Sequence, residues 1–561
     1  MATSPNHTYI KFFTVLISLI LGIFFIRLAF LMLSGQPQTK TYHNPEVAEN
    51  VVRGTIYDRN GRILAIERPY WGVYLHLNKI EDLTQVSEII APFVEMSPSE
   101  IQQKASNYTT YAQIKKAIDD RQVEPLRSIL QEHGLQNQVN VEKRIGRTYP
   151  AKFHASQTIG FTNVDMEGIE GIELSQEEFL NPYPEIGNRN TTYGEDVILT
   201  LDIDIQYALD VQLQQIADEF NPDYAMALVL DAQNGDILGM SSYPWYDINA
   251  LGHSEEEQRR NNAVNLLYEP GSVFKLFSMA SILQIGEAQT EEPFLCDGSY
   301  TFHAGSSNVT INCTSPHGEV DVETMLAKSC NGAISHWALQ TDPISFYTML
   351  EQMGFTNSYD ISLPSKAKAY IANPSQWSGR TLPTIAFGQE LLVSALHLCT
   401  AATALSPRGE LIAPHLILSR SSPVSGEKSY QRERMVISQV LEPSVTERIR
   451  EGMYRASLSG GTGIQASVEG VALGVKTGTA QLFNEETKSY EDGTILVSTL
   501  GMVPIDNPQY ILYVAAGNPK GASLYGSNVA APAVGAIVRT LISQGKLIAS
   551  DTPILQGDGK N

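Results

Sequence analysis

Ser272 and Lys275 stand three residues apart in the segment 268–275, which reads Y-E-P-G-S-V-F-K. The Pro-Gly pair predicts a tight turn and the residues after it predict a helix, so the two side chains should share one helix face. A serine hydroxyl is a poor nucleophile until a base takes its proton. A lysine amine can be that base where burial and nearby cations keep it uncharged. The pair therefore suggests nucleophilic acyl transfer at Ser272.

Two further polar clusters follow Ser272 along the chain. Ser329 and Asn331 place a hydroxyl and an amide two residues apart, and residues 476–479 (K-T-G-T) add a cation and two hydroxyls. A lone S-x-x-K pair also occurs on the surface of ordinary helices, so its context decides what it means. An S-x-x-K, S-x-N and K-T-G set in this order is typical of penicillin-binding proteins and related β-lactamases. The three clusters together indicate one active site built from distant segments.

Length and charge limit the other classes of function. A chain of 561 residues predicts about two to four domains, and 43% apolar residues suit a globular protein with a sizeable core. With 39 basic against 61 acidic residues, the formal net charge is −22. A phosphate backbone would be repelled by this charge, so we expect no nucleic acid partner.

Residues 12–33 are almost entirely apolar. As a helix that rises about 1.5 Å per residue, they would reach about 33 Å, enough to cross the core of a bilayer. A cleaved signal peptide is the alternative, but the run is long for one and no A-x-A-like cleavage site follows it. We therefore predict a short N-terminal segment (1–11), one transmembrane helix (12–33) and a polar linker (34–50). Charge does not settle the orientation of the helix, since Lys11 lies before it and Lys40 after it.

The segment 51–222 should form a first domain outside the membrane. Helices are expected at 97–106, 111–119 and 205–220, a hairpin at 53–65 and a strand at 197–201. Arg53, Asp58 and Arg59 favour ion pairs that hold this domain together. The glycines of the segment 168–173 (G-I-E-G-I-E) indicate tight backbone turns and not phosphate binding.

Residues 223–548 should form a second domain. Strands are expected at 225–230, 236–242, 415–418, 470–475, 495–502 and 510–516, and helices over most of 275–405. Two sets of strands around a helical middle predict an α+β fold, with an antiparallel sheet and helices packed on it. The polar residues 549–561 are expected to form a flexible tail.

With these residues in place, the chain resembles the class B penicillin-binding proteins, the peptidoglycan D,D-transpeptidases. Beyond the three motifs, the resemblance rests on R-G-T-I-Y-D-R-N-G at 53–61, R-T-Y-P at 147–150, L-T-L-D at 199–202 with Gln206, and F-G-Q at 387–389. The segment 168–173 is more similar to the division-type branch than to the elongation-type branch. The resemblance therefore implies a division-type enzyme, with an elongation-type transpeptidase as the alternative. The resemblance implies a penicillin-binding/β-lactamase-like transpeptidase domain on an elongated pedestal of the penicillin-binding protein dimerisation type.

The resemblance also implies the substrate, inhibitors, partners and location of the protein. Its substrate would be the D-alanyl-D-alanine end of a peptidoglycan stem peptide, and β-lactams would inhibit it. Its partners would be a polytopic membrane glycosyltransferase and other divisome proteins. The family topology implies a cytoplasmic N-terminus (1–11) and a catalytic domain in the periplasm, anchored to the inner membrane. Val475 departs from the family, which usually has glycine before the K-T-G lysine. A side chain there could crowd the strand edge that binds the substrate.

The family chemistry assigns roles to the clustered side chains. Ser272 would attack the peptide carbonyl while Lys275 takes its proton, with burial and Lys476 lowering the pKa of Lys275. Ser329 would relay that proton to the leaving amine. An amine of a second stem peptide would then accept the acyl group. This chemistry needs no cofactor.

The remaining motif residues would hold the substrate. Asn331 would orient its amide, while Thr477 and Thr479, with the K-T-G lysine, would bind its terminal carboxylate through charge-assisted hydrogen bonds. Gly478 would let the backbone approach the ligand closely. By analogy with the family, the N–H groups of Ser272 and Thr479 would form the oxyanion hole.

Four residues with metal-binding side chains fall within one short stretch: Cys296, Cys313, His317 and Cys330. Three thiolates and an imidazole suit tetrahedral zinc, and some elongation-type relatives carry a structural zinc in this region. A Cys296–Cys313 disulfide is an alternative in an oxidising compartment, and Cys330 could be a plain buried thiol. Cys399 is expected in the core.

Three other functions compete with the transpeptidase. A D,D-carboxypeptidase or β-lactamase would use the same motifs, but a β-lactamase needs a group that activates water and none is obvious in the sequence. A β-lactam sensor would signal through its anchor, but such sensors usually have more membrane spans. A catalytically dead scaffold is disfavoured because every motif residue is intact.

Overall fold

The fold comes from a computed structural model, which describes residues 18, 21–22, 51–183, 191–305, 307–484 and 489–549. The predicted transmembrane helix lies outside the described residues, apart from three of them, and so does nearly all of the predicted tail. Within the described part, no helix is both long enough and apolar enough to cross a membrane. The described residues within 52–183 and 193–549 belong to one compact unit.

The α-helices of the described residues span Leu83–Val94, Pro98–Ala105, Asp120–Glu132, Ser156–Ile159, Gly171–Ser175, Glu177–Leu180, Ile203–Phe220, Glu256–Arg259, Asn262–Asn265, Lys275–Ile285, Val322–Lys328, Asn331–Ala338, Pro343–Gln352, Thr381–Ala386, Ala395–Ala402, Pro443–Ala456 and Gly526–Ser543. Short 3₁₀ helices span Leu77–Lys79, Ile248–His253, Gly271–Phe274, Pro374–Gln376, Thr403–Leu405 and Ile464–Ala466.

The strands span Val51–Val52, Ile56–Tyr57, Ile63–His76, Tyr111–Ile118, Val139–Thr148, Thr192–Tyr193, Asp196–Leu199, Tyr224–Asp231, Ile237–Tyr243, Phe294–Cys296, Ser299–Ala304, Ser307–Asn312, Gly318–Val320, Tyr370–Ile371, Leu391–Leu392, Glu410–Ile412, Ile417–Ser421, Lys428–Gln431, Val436–Gln439, Gly474–Asn484, Ser489–Val503 and Tyr510–Gly517.

The main sheet is antiparallel and carries helices on both faces. Its strands run in the spatial order Gly474–Asn484, Ser489–Val503, Tyr510–Gly517, Tyr224–Asp231 and Ile237–Tyr243. Because successive side chains point to opposite faces, Ala227 and Val229 enter one core with the helices 203–220 and 526–543. Leu228 enters the other core, with the helix Lys275–Ile285. The predicted α+β fold is confirmed.

A second sheet is mixed and takes strands from both halves of the chain. The predicted hairpin is present, because Ile56–Tyr57 pairs antiparallel with Ile63–His76. The same short strand pairs in parallel with Asp196–Leu199, which in turn pairs with Ile417–Ser421. A strand from beyond residue 400 therefore completes a sheet that begins near residue 56.

Buried and partly buried ion pairs join three of the N-terminal motifs. The guanidinium of Arg53 donates to carboxylate oxygens of Glu173 at 2.8 Å and of Glu177 at 2.7 Å. Arg147 donates to the other carboxylate oxygen of Glu173 at 2.7 Å. Gly171 has a φ of +61°, and a Cβ there would lie 2.5 Å from the backbone nitrogen of Gly160. The structural interpretation of these charges and glycines is thus supported.

Some predicted elements are wrong. Residues 111–119 were expected to be helical but form the strand Tyr111–Ile118, in which Ala112 and Ile114 are buried on one face. Pairing with the long strand Ile63–His76 overrides the local helical pattern. The strand expected at 470–475 begins only at Gly474, and short strands at 294–320 interrupt the expected helical middle.

Candidate active site

The nucleophile candidate lies at the start of a buried helix. A 3₁₀ turn, Gly271–Phe274, leads into the helix Lys275–Ile285, as the Pro-Gly turn predicts. The Nζ atom of Lys275 lies 3.0 Å from the Oγ atom of Ser272. Lys275 is completely buried. Gly271 has a φ of +56°, and a Cβ there would lie 2.8 Å from the carbonyl oxygen of Thr479. Residues 268–274, here called the nucleophile turn, therefore pack directly on the K-T-G strand.

The S-x-N motif sits between two helices. Ser329 ends the helix Val322–Lys328 in the left-handed region, with a φ of 60°. Such strain in a residue other than glycine is concentrated at functional sites. Lys275 Nζ contacts the carbonyl oxygen of Ser329 at 2.8 Å, its hydroxyl at 3.1 Å and the Oδ1 atom of Asn331 at 2.5 Å. The Nδ2 group of Asn331 donates to the carbonyl of Asn312 at 2.9 Å, which fixes the orientation of the amide.

The K-T-G motif completes the cluster from the edge of the main sheet. Lys476 is completely buried, and its Nζ atom lies 2.9 Å from the Ser329 hydroxyl. A Cβ on Gly478 would lie 2.9 Å from a methyl carbon of Val273, so only glycine allows this close packing. The hydroxyl of Thr479 accepts from the backbone N–H of Gly526 at 3.4 Å. The structure thus brings all three predicted motifs together.

Burial destabilises the charged forms of Lys275 and Lys476 relative to their neutral forms. Desolvation lowers the pKa of Lys275 from its usual value to about 8. Desolvation, followed by the nearby charge of Lys275, holds the pKa of Lys476 well below its usual range. An uncharged amine next to the Ser272 hydroxyl is therefore accessible near neutral pH.

Sequence reasoning missed Thr462, which supports the K-T-G strand. The Oγ1 atom of Thr477 donates to that of Thr462 at 2.9 Å, and the backbone N–H of Thr462 donates to the carbonyl of Ala327 at 3.1 Å. Thr462 thus ties the K-T-G strand to the helix that ends in Ser329. The glycines on either side of it were the only available signal.

The expectation that Val475 crowds the substrate-binding edge is wrong. Its side chain is completely buried in the core that contains Ala456 and Ala466. A Cβ on Gly463 would lie 2.2 Å from a methyl carbon of Val475, so that methyl group occupies the space above Gly463. The valine therefore packs against the core and leaves the strand edge clear.

The predicted metal-binding side chains converge next to the S-x-N motif. The sulfur of Cys313 lies 3.7 Å from those of Cys296 and Cys330, and Cys296 lies 3.4 Å from the Nδ1 atom of His317. Zinc–sulfur bonds of about 2.3 Å at tetrahedral angles would separate two sulfurs by about 3.8 Å, so the donor set fits zinc. The thiols are not joined in a disulfide.

The cysteine cluster is connected to the active site through Cys330, which is part of the S-x-N motif. Cys330 is the N-cap of the helix Asn331–Ala338, and its sulfur accepts from the backbone N–H of Ala333 at 3.4 Å. The hydrogen bond from Cys330 lowers the pKa of the Cys313 thiol. Cys399 is buried in the core apart from this cluster, as expected.

Comparison with known families decides the class of protein. The penicillin-binding protein transpeptidase domain matches residues 225–539, and the penicillin-binding protein dimerisation domain matches residues 48–194. The chain belongs to the penicillin-binding protein transpeptidases. The family predicted from the motifs is therefore confirmed.

Individual proteins similar to this penicillin-binding transpeptidase support the family assignment. The probable peptidoglycan D,D-transpeptidase PenA of Neisseria gonorrhoeae is 29% identical over 506 residues, which cover 86% of this chain and 82% of PenA. The probable peptidoglycan D,D-transpeptidase FtsI of Caulobacter vibrioides is 26% identical over 508 residues, covering 87% and 80%. Penicillin binding protein 3 of Mycobacterium tuberculosis, crystallised with aztreonam, shares the fold with a TM-score of 0.70 at 23% identity, covering 90% of this chain and 98% of that one.

Proposed function

We propose that this chain is a peptidoglycan D,D-transpeptidase that cross-links stem peptides by serine acyl transfer during septal cell-wall synthesis. The observation that carries the proposal is that one buried amine, Lys275 Nζ, lies within hydrogen-bonding distance of Ser272, Ser329 and Asn331 together. The similarity to PenA and FtsI, both probable peptidoglycan D,D-transpeptidases, supports peptidoglycan as the substrate. β-Lactams would acylate the same serine.

Lys275 is the proposed general base. A charged lysine offers three donors and no acceptor, whereas a neutral amine offers two donors and one lone pair. The oxygen atoms of Asn331 and of the Ser329 backbone, at 2.5 and 2.8 Å, can take the two donors. The lone pair then faces the hydroxyl of Ser272, 3.0 Å away. Ser272 attacks the peptide carbonyl carbon as its proton passes to Lys275.

Ser329 is the proposed proton relay to the leaving group. Its hydroxyl lies between the two buried amines, 3.1 Å from Lys275 and 2.9 Å from Lys476. The proton taken from Ser272 can pass from Lys275 through Ser329 to the nitrogen of the departing D-alanine. The carbon–nitrogen bond breaks as that nitrogen gains the proton, which leaves an ester on Ser272.

Substrate binding is assigned to the remaining motif residues. A terminal carboxylate near Lys476 favours the charged form of that amine, because an opposite charge offsets part of the desolvation cost. We assign the hydroxyls of Thr477 and Thr479 to the same carboxylate and Asn331 to the substrate amide. The N–H groups of Ser272 and Thr479 are the proposed oxyanion donors, which the packing of Gly271 on the K-T-G strand supports.

A structural zinc is proposed next to this site. Cys296, Cys313, His317 and Cys330 would hold it, since their four ligand atoms lie within 4.8 Å of one another. Zinc would supply only structural stabilisation there, by fixing thiolates that otherwise share protons. Because Cys330 lies between Ser329 and Asn331, the same side chain would brace the S-x-N motif.

The domain organisation and location are part of the proposal. A pedestal (51–222) would carry the transpeptidase domain (223–548), and the apolar run at 12–33 would anchor both to the inner membrane. The two matched families support this order. The catalytic domain would then be periplasmic, with a polytopic membrane glycosyltransferase and other divisome proteins as partners.

A reconstituted cross-linking assay tests the proposal. Purified protein would be mixed with a donor stem pentapeptide that ends in D-alanyl-D-alanine and with an amine acceptor. We expect release of D-alanine together with a cross-linked product, and loss of both in Ser272→Ala. The control is Ser278→Ala on the same helix, whose buried hydroxyl has no hydrogen-bond partner in the described part. D-Alanine release without any cross-linked product would instead indicate a carboxypeptidase.

A further inference from the structure

One short segment packs against the nucleophile turn and forms backbone hydrogen bonds with it. Residues 388–393, here called the bracing segment, run antiparallel to residues 268–271. Tyr268 and Val393 exchange backbone hydrogen bonds at 3.0 Å in both directions. Gly271 donates its N–H to the carbonyl of Gly388 at 2.9 Å. The residue immediately before Ser272 is therefore hydrogen-bonded to this segment.

The contact between the two segments leaves little room for adjustment. A Cβ on Gly388 would lie 2.0 Å from the carbonyl oxygen of Gly271. Densely packed atoms transmit a displacement instead of absorbing it. A shift of the bracing segment would therefore move Gly271 and, with it, the hydroxyl of Ser272.

Glu390 lies in the middle of the bracing segment in an unfavourable backbone conformation. Its φ is +58°, in the left-handed region that favours glycine. Its backbone N–H donates to the Oε1 atom of Glu269, in the nucleophile turn, at 2.8 Å. Strain of this kind persists only where the surroundings determine the conformation. At Glu390, the surroundings include the nucleophile turn itself.

The carboxylate of Glu390 forms a second set of hydrogen bonds, to the helix that precedes the bracing segment. It accepts from the hydroxyl of Thr381 at 2.9 Å and from that of Thr384 at 2.8 Å. The Nε group of Arg380 lies 3.3 Å from the same carboxylate. These residues belong to or adjoin the helix Thr381–Ala386, which precedes the bracing segment. The side chain thus fixes the bracing segment to a helix while its backbone fixes the nucleophile turn.

We propose that Glu390 is a positioning residue for acylation: its carboxylate, held by Thr381 and Thr384, fixes the bracing segment that places Ser272. The inference rests on the assignment of Ser272 as the nucleophile. Glu390 itself touches neither Ser272 nor Lys275 through any hydrogen bond in the described part of the chain. Its contribution is therefore to the geometry of attack and not to proton transfer.

The test measures acylation by a fluorescent penicillin with stopped-flow mixing, which separates the dissociation constant of the first complex from the acylation rate constant. Glu390→Gly removes the carboxylate but relieves the backbone strain, so Tm should stay near the wild-type value. We expect an acylation rate constant about 10-fold lower, since small displacements of reacting groups have large kinetic costs. The dissociation constant should not change, and Glu390→Gln should recover most of the rate.

A double-mutant cycle isolates the proposed interaction. Thr384→Val should slow acylation on its own, and Glu390→Gly with Thr384→Val should be no slower than Glu390→Gly alone, because the two side chains form one interaction. Glu95→Gly is the matched control, since Glu95 also has a positive φ, of 52°, but ends a helix in the pedestal. It should acylate at the wild-type rate.

Three results would overturn the proposal: a wild-type acylation rate constant in Glu390→Gly, fully additive losses in the double variant, or an equal loss in Glu95→Gly. Ser272→Ala, measured in parallel, separates this inference from the proposed function. If Ser272→Ala is still acylated, the nucleophile assignment fails and the inference about Glu390 fails with it. If Ser272→Ala is inert while Glu390→Gly is normal, only the role of Glu390 is lost.

Discussion

The Nζ atom of Lys476 lies 2.9 Å from the hydroxyl oxygen of Ser329, although 147 residues separate them in the chain. The same hydroxyl lies 3.1 Å from Lys275. Two amines thus share one oxygen in a site where both are completely buried. Desolvation favours the uncharged form of both amines, and the charge of Lys275 further favours it in Lys476. The uncharged amine is the form that general-base catalysis requires.

Acylation should depend on pH through Lys275. Only the neutral amine can take the proton of Ser272, so the rate should rise with pH and level off above the pKa of Lys275, which burial lowers to about 8. Two pH units below that value, the neutral fraction and the rate should be about 100-fold lower. Acylation rate constants measured with penicillin from pH 6 to 10 check this. A rate that is flat between pH 6 and 8 would contradict a lysine base with this pKa.

Removal of the Ser329 hydroxyl should slow catalysis without unfolding the protein. Ser329→Ala takes away the hydroxyl partner of both lysines, and we expect a loss of about 10²–10³-fold in acylation, as for other proton-transfer groups. Ser335→Ala is the matched control, because its buried hydroxyl has no hydrogen-bond partner in the described residues. Equal acylation rates for the two variants would exclude a role of Ser329 in proton transfer.

Metal content should follow the cysteine cluster. Elemental analysis of the purified wild-type protein should find about one zinc per chain, and Cys313→Ser should reduce it to near zero, because a three-ligand site binds far more weakly. Chelation should lower Tm, since binding a structural metal contributes to folding. Cys399→Ala, outside the cluster, should retain the metal. Wild-type protein without zinc would refute the proposed site.

Val475 should matter for stability and not for the substrate. Val475→Ala removes two methyl groups from a fully buried position, and the free energy of unfolding should fall by about 2 kcal/mol. Acylation by penicillin should remain near the wild-type rate, because the side chain faces the core above Gly463. Chemical denaturation and penicillin labelling of the same preparation check both. Slower acylation at unchanged stability would instead indicate that Val475 affects the substrate-binding edge.

The motif residues were predictable because their side-chain types and their order along the chain indicate their chemical roles. Ser272, Lys275 and Lys476 can be recognised from residue type and order, and the antiparallel main sheet follows from the apolar strands on either side of a helical middle. The orientation of Val475 was not predictable, because its side-chain direction depends on where the strand begins. That start is set by pairing with Ser489–Val503 and not by local sequence.

Residues that act through backbone contacts were also beyond sequence reasoning. Glu390 carries no motif signal, and only the fold shows that it lies next to Glu269. The strand Tyr111–Ile118 has apolar residues at helical spacing as well as on alternate positions, so its pattern fits both structures. The long strand Ile63–His76, far away in sequence, decides between them.

Mapping the acyl group tests the central claim most directly. Trypsin cuts after Arg260 and Lys275, and Ser272 is the only serine or threonine in the peptide between these cuts. After reaction with benzylpenicillin, we expect this peptide, and no other, to gain the mass of the drug. An adduct on a different peptide, with residues 261–275 unmodified, would contradict the account.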